Sequence, residues 1–298
     1  MSNTLRLSLI ICSRNRASSL DKVLQAIHPE EMLAVGGELI LVDNNSTDTT
    51  SMVMHAYRDS VPFPVTVVSE PEAGLGRARN RGLKHARGEV IAFTDDDCYL
   101  QTGYLLKAAE VFDGDRFQYC GGRILLHDPD DAMVAVDYRK KFKLIPPRSF
   151  VPAGEIQGAS MIVRRDVFDV TGLFDPELGA GREFRCEDAE FIARASMHGF
   201  SGAHVPELVV YHHHGRKAAD VPAHVQGNHF ARGAYYAIML GRRQWKYLFR
   251  WLLQYLLPRP RTVKRFGYFR RLHYELLGAW RYTRSRRQVV PDTGGGLT

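Results

Sequence analysis

Cysteine is scarce. Four thiols, Cys12, Cys98, Cys120 and Cys186, stand far apart with no CxxC spacing. That argues against a structural zinc site and against a secreted disulfide scaffold, and predicts a reducing cytosol. The N-terminus lacks the basic region, apolar core and small-residue cleavage site of a secretory leader. No uninterrupted apolar run approaches the ~18–20 residues needed to span a bilayer. No GxGxxG follows the first apolar run, and no GxxxxGK precedes Ser or Thr, so neither dinucleotide nor P-loop binding is supported. Internal repeats and low-complexity tracts are absent. Acidic residues run short in one place only. Residues 216–298 carry 17 Lys+Arg against 3 Asp+Glu, whereas residues 1–215 carry 23 against 30. The net charge of +7 therefore hides −7 and +14. That asymmetry predicts two parts with different work and a boundary near Gly215. The expected division is a domain over 1–215, a basic aromatic extension over 216–290 and a disordered tail over 291–298.

What is present reads as an α/β protein. The chain has 298 residues, 45% of them apolar and 24% charged, ordinary for a globular fold. Leu7 to Cys12 is a buried strand, closed by the polar turn Ser13-Arg14-Asn15-Arg16. Ala17 to Ile27 has helical spacing at Leu20, Val23, Leu24 and Ile27. Glu38 to Val42 is a second strand, ending in Asp43-Asn44-Asn45. Thr49 to Tyr57 is a helix, Val65 to Val68 a third strand, and Gly74 to Ala86 a glycine-started helix bearing Arg77, Arg79 and Asn80. Then comes GEVIAFTDDDCY, Gly88 to Tyr99, the stretch around which the rest is organised. Its apolar run suits a buried parallel strand that delivers Asp95, Asp96 and Asp97 to the carboxyl end. Adjacent carboxylates repel one another and make most sense beside a cation. Mg²⁺ takes such oxygens and leaves positions for substrate phosphates. The competing interpretation is a solvated acidic turn. The alternation of strand and helix predicts a parallel sheet with right-handed crossovers, and the polar turns should line one crevice where Asp43, Arg79 and Asp95 converge.

The quoted segments IICSRNR, ILVDNNSTDTT, EAGLGRARNRGL and VIAFTDDDC resemble the nucleotide-sugar domain of glycosyltransferase family 2. The likeness continues through GEIQGASMIVRRDVFDVTGLFDPEL, GREFRCEDAEFIARASMHGF and PELVVYHHH, over roughly residues 5–215. The resemblance implies a GT-A fold and inversion at the anomeric centre, with a nucleotide-sugar donor, a UDP-sugar first, and a glycan acceptor carried on lipid. It implies Mg²⁺ or Mn²⁺ as cofactor. Asp97 and Asp95 match the ends of the family's DxD, with His212 as a further metal candidate. Ser13, Arg14, Asn15, Asp43, Asn45, Arg79, Asp95 and Asp96 fall on the donor side. Gly158, Ala159 and Ser160 form a small-residue loop on the acceptor side. Asp188 matches the general base and Glu187 its supporting neighbour. Asn44-Asn45 replaces the acidic-glycine pair usual after Asp43, which leaves the base preference open.

Other readings stay open at this level. A nucleotidyltransferase would share fold and metal without needing a base at Asp188, and a non-catalytic nucleotide-sugar or polyanion binder would use the basic tail. On a strand, His212 and His214 would share one face and His213 the other. In the extension, Trp245, Leu248, Trp251, Leu252 and Tyr255 recur at helical spacing among Arg242, Arg243, Lys246 and Arg250. Pro258 and Pro260 break the pattern before a second basic helix over Thr262 to Arg287. Basic helices bearing tryptophan suit a membrane surface, with Trp245 and Trp251 inserting. Helices packed on the catalytic domain are the alternative. Nucleic-acid binding is the least favoured. The expected setting is the cytoplasm, peripheral at the inner face of the membrane.

Overall fold

The computed structural model describes residues 6–256 and 265–288. The expected proline break at Pro258 and Pro260 and the expected tail over 291–298 lie outside them. The elements of the parallel half are β1 (Leu7–Ser13), α1 (Ala17–Gln25), α2 (Pro29–Ala34), β2 (Gly37–Asp43), α3 (Thr50–Arg58), β3 (Val65–Ser69), α4 (Leu75–Leu83) and β4 (Val90–Asp95). There follow β5 (Cys98–Leu100), α5 (Tyr104–Glu110), β6 (Tyr119–Leu126), β7 (Lys143–Ile145), β8 (Met161–Arg164), α6 (Arg165–Thr171), α7 (Glu187–Met197) and β9 (Gly202–His212). The last elements are α8 (Val221–Gly241), α9 (Trp245–Leu256) and α10 (Arg265–Gln288).

The strands form one nine-stranded sheet in the order β3-β2-β1-β4-β8-β6-β9-β5, with β7 on β9. The expected parallel arrangement holds across β3, β2, β1 and β4. Beyond β4 the sheet is mixed: β8 runs antiparallel to both β4 and β6, β6 and β9 are parallel, and β5 and β7 are antiparallel to β9. The apolar runs are explained by burial on both faces. Leu7, Leu9 and Ile11 of β1 join Leu39 and Leu41 of β2 under α1, where Leu20, Val23 and Leu24 complete the layer. On the other face Phe93 of β4 meets Phe168 and Phe174 edge-on. Each such large side chain contributes roughly 1.5–3 kcal/mol on burial. Gly82 lets α4 lie against this sheet, since a Cβ there would come within 2.7 Å of Ile10.

Two compact units divide the described chain, one holding residues up to Glu183 and again Glu187–Val221, the other Phe184–Cys186 and the chain from Pro222 on. The second unit is helical. Gly233 of α8 lies against the backbone of Glu275, and Gly278 of α10 against that of Phe230, leaving no room for a Cβ at either. Phe184 stacks on Phe230 with ring centres 5.6 Å apart and meets Tyr282 edge-on. At the middle, the carboxylate of Glu275 accepts from Arg232 Nε at 2.6 Å, Arg271 Nε at 2.9 Å, Trp251 Nε1 at 2.7 Å and Tyr255 Oη at 2.7 Å.

Candidate active site

Parallel pairing sets the site. β1 and β4 are in register with Cys12 opposite Asp95, and β1 and β2 with Ser13 opposite Asp43. The tips of the central strands therefore end side by side, as open α/β sheets require at a binding crevice. Their turns are tight: Asn15 and Asn45 adopt left-handed backbone at φ 54° and 58°, which asparagine tolerates better than most residues. Asn15 ties the two turns together, its Oδ1 accepting the Thr47 N–H at 2.7 Å. Asp43 is buried and caps its own turn by accepting the Ser46 N–H at 3.0 Å. Beside it the amide oxygen of Asn44 is buried without a hydrogen-bond partner. Arg14 and Asn45 are exposed at the rim.

The acidic turn after β4 is held from several sides. Ser13 Oγ donates to Asp96 Oδ2 at 2.6 Å. Arg16 lies across the pair, Nε 3.1 Å from Asp96 and Nη2 2.8 Å from Asp97. The antiparallel pairing of β5 with β9 puts His212 opposite Cys98, so His212 Nε2 comes within 3.2 Å of Asp97 Oδ1. Arg79 is almost wholly buried on α4 and bridges Glu187 at 2.9 Å to Asp95 at 3.5 Å. Phe93 and Phe174 flank its guanidinium. Asp188, on the first turn of α7, accepts the Gly158 N–H at 2.9 Å on Oδ2 and the Ala189 N–H at 2.6 Å on Oδ1.

Burial is the largest influence on how these acids titrate, and the neighbouring charges add to it or oppose it. Burial pushes Asp96 up to about 7 against the pull of Arg16 and Ser13. Glu187 also rises to about 7, through burial and then the neighbouring Asp188, with Arg79 opposing. Asp97 is the exception. Burial disfavours its charge, but His212 and Arg16 outweigh that and hold it below the usual carboxylate range. His212 answers in kind: burial would lower it, and the bond to Asp97 raises it.

The donor set offers a divalent cation one oxygen and one nitrogen ligand. Asp97, Cys98 and His212 offer atoms within 4.8 Å of one another. Burial drives the Cys98 thiol well above its ordinary value, so it stays protonated and is a poor ligand for such an ion. A carboxylate and an imidazole remain, which leaves positions for water and phosphate oxygens. A second group, Asp128, Asp131 and His213, is already served by Lys217, whose Nζ lies 3.1 Å and 2.9 Å from the two carboxylates.

The acceptor-side loop has a different character from the one its small residues suggest. Gly158, Ala159 and Ser160 form a buried 3₁₀ turn. Ser160 Oγ is engaged with Tyr104 Oη at 3.1 Å and the Gly122 N–H at 3.2 Å, and Ala159 O accepts from Thr94 at 3.0 Å. A Cβ on Gly158 would collide with the Arg79 guanidinium. Smallness here serves the buried arginine, and Gly158 reaches the site through its N–H on Asp188. Sequence reasoning passed over Arg16 as a turn residue. Its signal was topological, since β1 and β4 are neighbours only once the sheet order is known.

A family model described as Glycosyl transferase family 2 matches residues 8–172. The glycosyltransferase AglE of Haloferax volcanii is 24% identical over 205 residues, 69% of this chain and 66% of that protein. The poly(ribitol-phosphate) beta-N-acetylglucosaminyltransferase TarS of Staphylococcus aureus is 28% identical over 109 residues, 37% of this chain and 19% of that one. The GalNAc(5)-diNAcBac-PP-undecaprenol beta-1,3-glucosyltransferase of Campylobacter jejuni is 32% identical over 101 residues, 34% and 32% of the two chains. The chain thus spans less than two thirds of each of these relatives. Among solved structures, the mannosyltransferase PcManGT of Pyrobaculum calidifontis in complex with GDP-Man and Mn²⁺ superposes with TM-score 0.60 at 16% identity, over 96% of this chain and 76% of that one. TarS 1–349 of Staphylococcus aureus in complex with UDP-GlcNAc gives TM-score 0.54 at 19% identity, over 78% and 66%. The fold is the GT-A fold, a mixed sheet flanked by helices.

Proposed function

The chain belongs to glycosyl transferase family 2, and from that premise we propose that it transfers a sugar, with inversion, from a UDP-sugar to a hydroxyl of a lipid-carried glycan. The observation that carries this is the pairing of two unlike acidic sites in one crevice. Asp97 with His212 at the tips of β4 and β9 is suited to a cation and a diphosphate, while Asp188 on α7 is suited to a proton. Asp97 and His212 would hold Mg²⁺ or Mn²⁺, with Asp95 beside them, and the ion would supply Lewis-acid stabilisation of charge on the leaving diphosphate. Asp43 and Asn44 face the base and ribose, with Arg14, Asn15 and Asn45 shaping the rim around them and Ser13 buried below it. Asp96 is tied to Ser13 and positions the turn.

The acceptor enters on the Asp188 side. Its oxygen bonds to the anomeric carbon as the bond from that carbon to the diphosphate oxygen breaks, and its proton passes to the Asp188 carboxylate. Each Asp188 oxygen spends one lone pair on a backbone N–H and keeps another for the incoming hydroxyl. The N–H of Gly158 fixes the carboxylate's direction. Such a base must stand within about 2.6–3.2 Å of the hydroxyl. Glu187 anchors Arg79, which balances the donor end at Asp95. The lipid-linked acceptor is supported by the undecaprenol-linked substrate named for the Campylobacter jejuni relative and by the basic residues beyond Gly215. Those residues suit the anionic inner face of the cytoplasmic membrane. No described helix is long and apolar enough to cross a membrane.

The test is a panel of nucleotide sugars with the full chain, scored for nucleoside diphosphate release with and without chelator. Metal-dependent release from one donor is expected. Pyrophosphate release from a nucleoside triphosphate and a sugar phosphate would replace this reading with a nucleotidyltransferase.

A further inference from the structure

In α9, Trp245, Phe249, Leu252 and Leu256 follow one another at spacings of four, three and four residues. That spacing places them on one stripe of the helix. They are exposed at 64%, 61%, 41% and 72%. The opposite face is spent inside the second unit: Tyr247 is fully buried, and Trp251 and Tyr255 both bind Glu275. Trp251 is therefore turned away from the face that Trp245 presents, contrary to the expectation that both insert. An outward stripe on a soluble helix is ordinarily polar, and an apolar one marks an interaction surface.

The charge beside the stripe identifies what covers it. The only charged residues of α9 are Lys246 and Arg250, preceded by Arg242 and Arg243. Lys246 and Arg250 each follow a stripe residue by one position, a rotation of about 100°, so they flank it on one side. We infer that α9 lies in the plane of an anionic lipid surface, with Trp245, Phe249, Leu252 and Leu256 among the upper acyl chains and Lys246 and Arg250 at the headgroups. This placement rests on the membrane reading above and gives it an address in the fold. A second copy would bring the same positive flank to the seam and repel. Nucleic acid would meet the cations but leave the apolar stripe in water. At twelve residues, about 18 Å, the helix is too short to span and long enough to lie flat. α10 also exposes Phe269, Leu276 and Trp280. There the Arg284 guanidinium lies 5.4 Å from the Trp280 ring.

Tryptophan fluorescence reads this directly, because the chain has only Trp245, Trp251 and Trp280. The full chain is mixed with vesicles of phosphatidylglycerol and brominated phosphatidylcholine. Strong quenching is expected in the wild type, most of it lost in Trp245→Phe and little of it lost in Trp280→Phe. Phe249→Ser should weaken partitioning on the order of tenfold, since one Phe side chain leaves the lipid. Salt at 0.5 M should weaken the wild type as well. Quenching that survives in Trp245→Phe, or equal binding to neutral vesicles, overturns the placement. So does a dimer in solution that Phe249→Ser converts to monomer, because a second copy would then cover the stripe. Diphosphate release to a water-soluble acceptor is measured on Phe249→Ser in parallel. Failure in the wild type there, with vesicle binding intact, removes the transferase reading and leaves α9 at the membrane.

Discussion

Both units bury carboxylates among arginines, and they do so to opposite ends. Glu275 is satisfied on every side by Arg232, Arg271, Trp251 and Tyr255. Burial disfavours its charge, but those partners win and hold it below the usual carboxylate range. In the cleft, Asp95, Asp96, Asp97 and Glu187 share Arg16, Arg79 and His212. There burial outweighs the cations at Asp96 and Glu187, which rise to about 7, while His212 and Arg16 hold Asp97 low. A carboxylate with all its bonds made builds structure. A group that burial holds near neutrality is prepared to exchange a proton.

That contrast can be broken at several points. Asp97→Ala removes the carboxylate that His212 and Arg16 hold charged. Diphosphate release should fall on the order of 10³-fold or more, and Mn²⁺ should no longer raise the unfolding temperature, while the unliganded protein keeps its circular dichroism. Asp188→Asn keeps the shape and cannot take a proton. Turnover should fall about 10²–10⁴-fold with donor affinity close to wild type. A collapse of donor binding without loss of turnover per bound donor would move Asp188 to the donor site. Glu275→Ala strands Arg232 and Arg271 in the helical unit and should cost about 3–5 kcal/mol in chemical denaturation. A loss below about 1 kcal/mol would show that the hub is not what holds the unit.

The smallest effect concerns pH. Glu187 binds its proton up to about 7 in the folded chain, against an ordinary value of 4.5. The fold therefore gains from the protonated form below pH 4.5 and loses that gain as pH rises through 7. Glu187→Gln stays neutral. Its stability should decline less between pH 5 and 8 than that of the wild type, by on the order of 1–3 kcal/mol in parallel denaturation series. Identical slopes would show that Glu187 is not the group titrating.

Much of this was legible from residue order. The apolar run Val90 to Phe93 followed by three aspartates specified a strand with acids at its carboxyl end, and β4 is that strand. Helical spacing at Leu20, Val23 and Leu24 specified α1. Local periodicity is enough for such elements, because one side chain's burial depends on its neighbours at fixed offsets. The charge split of −7 and +14 and the aromatic spacing beyond Gly215 were equally plain in the chain itself.

Other assignments belong to the tertiary structure alone. Arg16 reaches Asp96 and Asp97 because β1 lies beside β4, a neighbour far away in sequence. Gly158 is small because Arg79 passes under it, although the loop's composition resembles an opening for substrate. Trp245 and Trp251 share a helix and a residue type, and Glu275 draws one of them inward. The sequence by itself determined which side chains are available, their charge, and their period along each element. Which carboxylate finds its counter-ions, and which aromatic face is left uncovered, was decided by packing, because those energies depend on distances that only the folded chain creates.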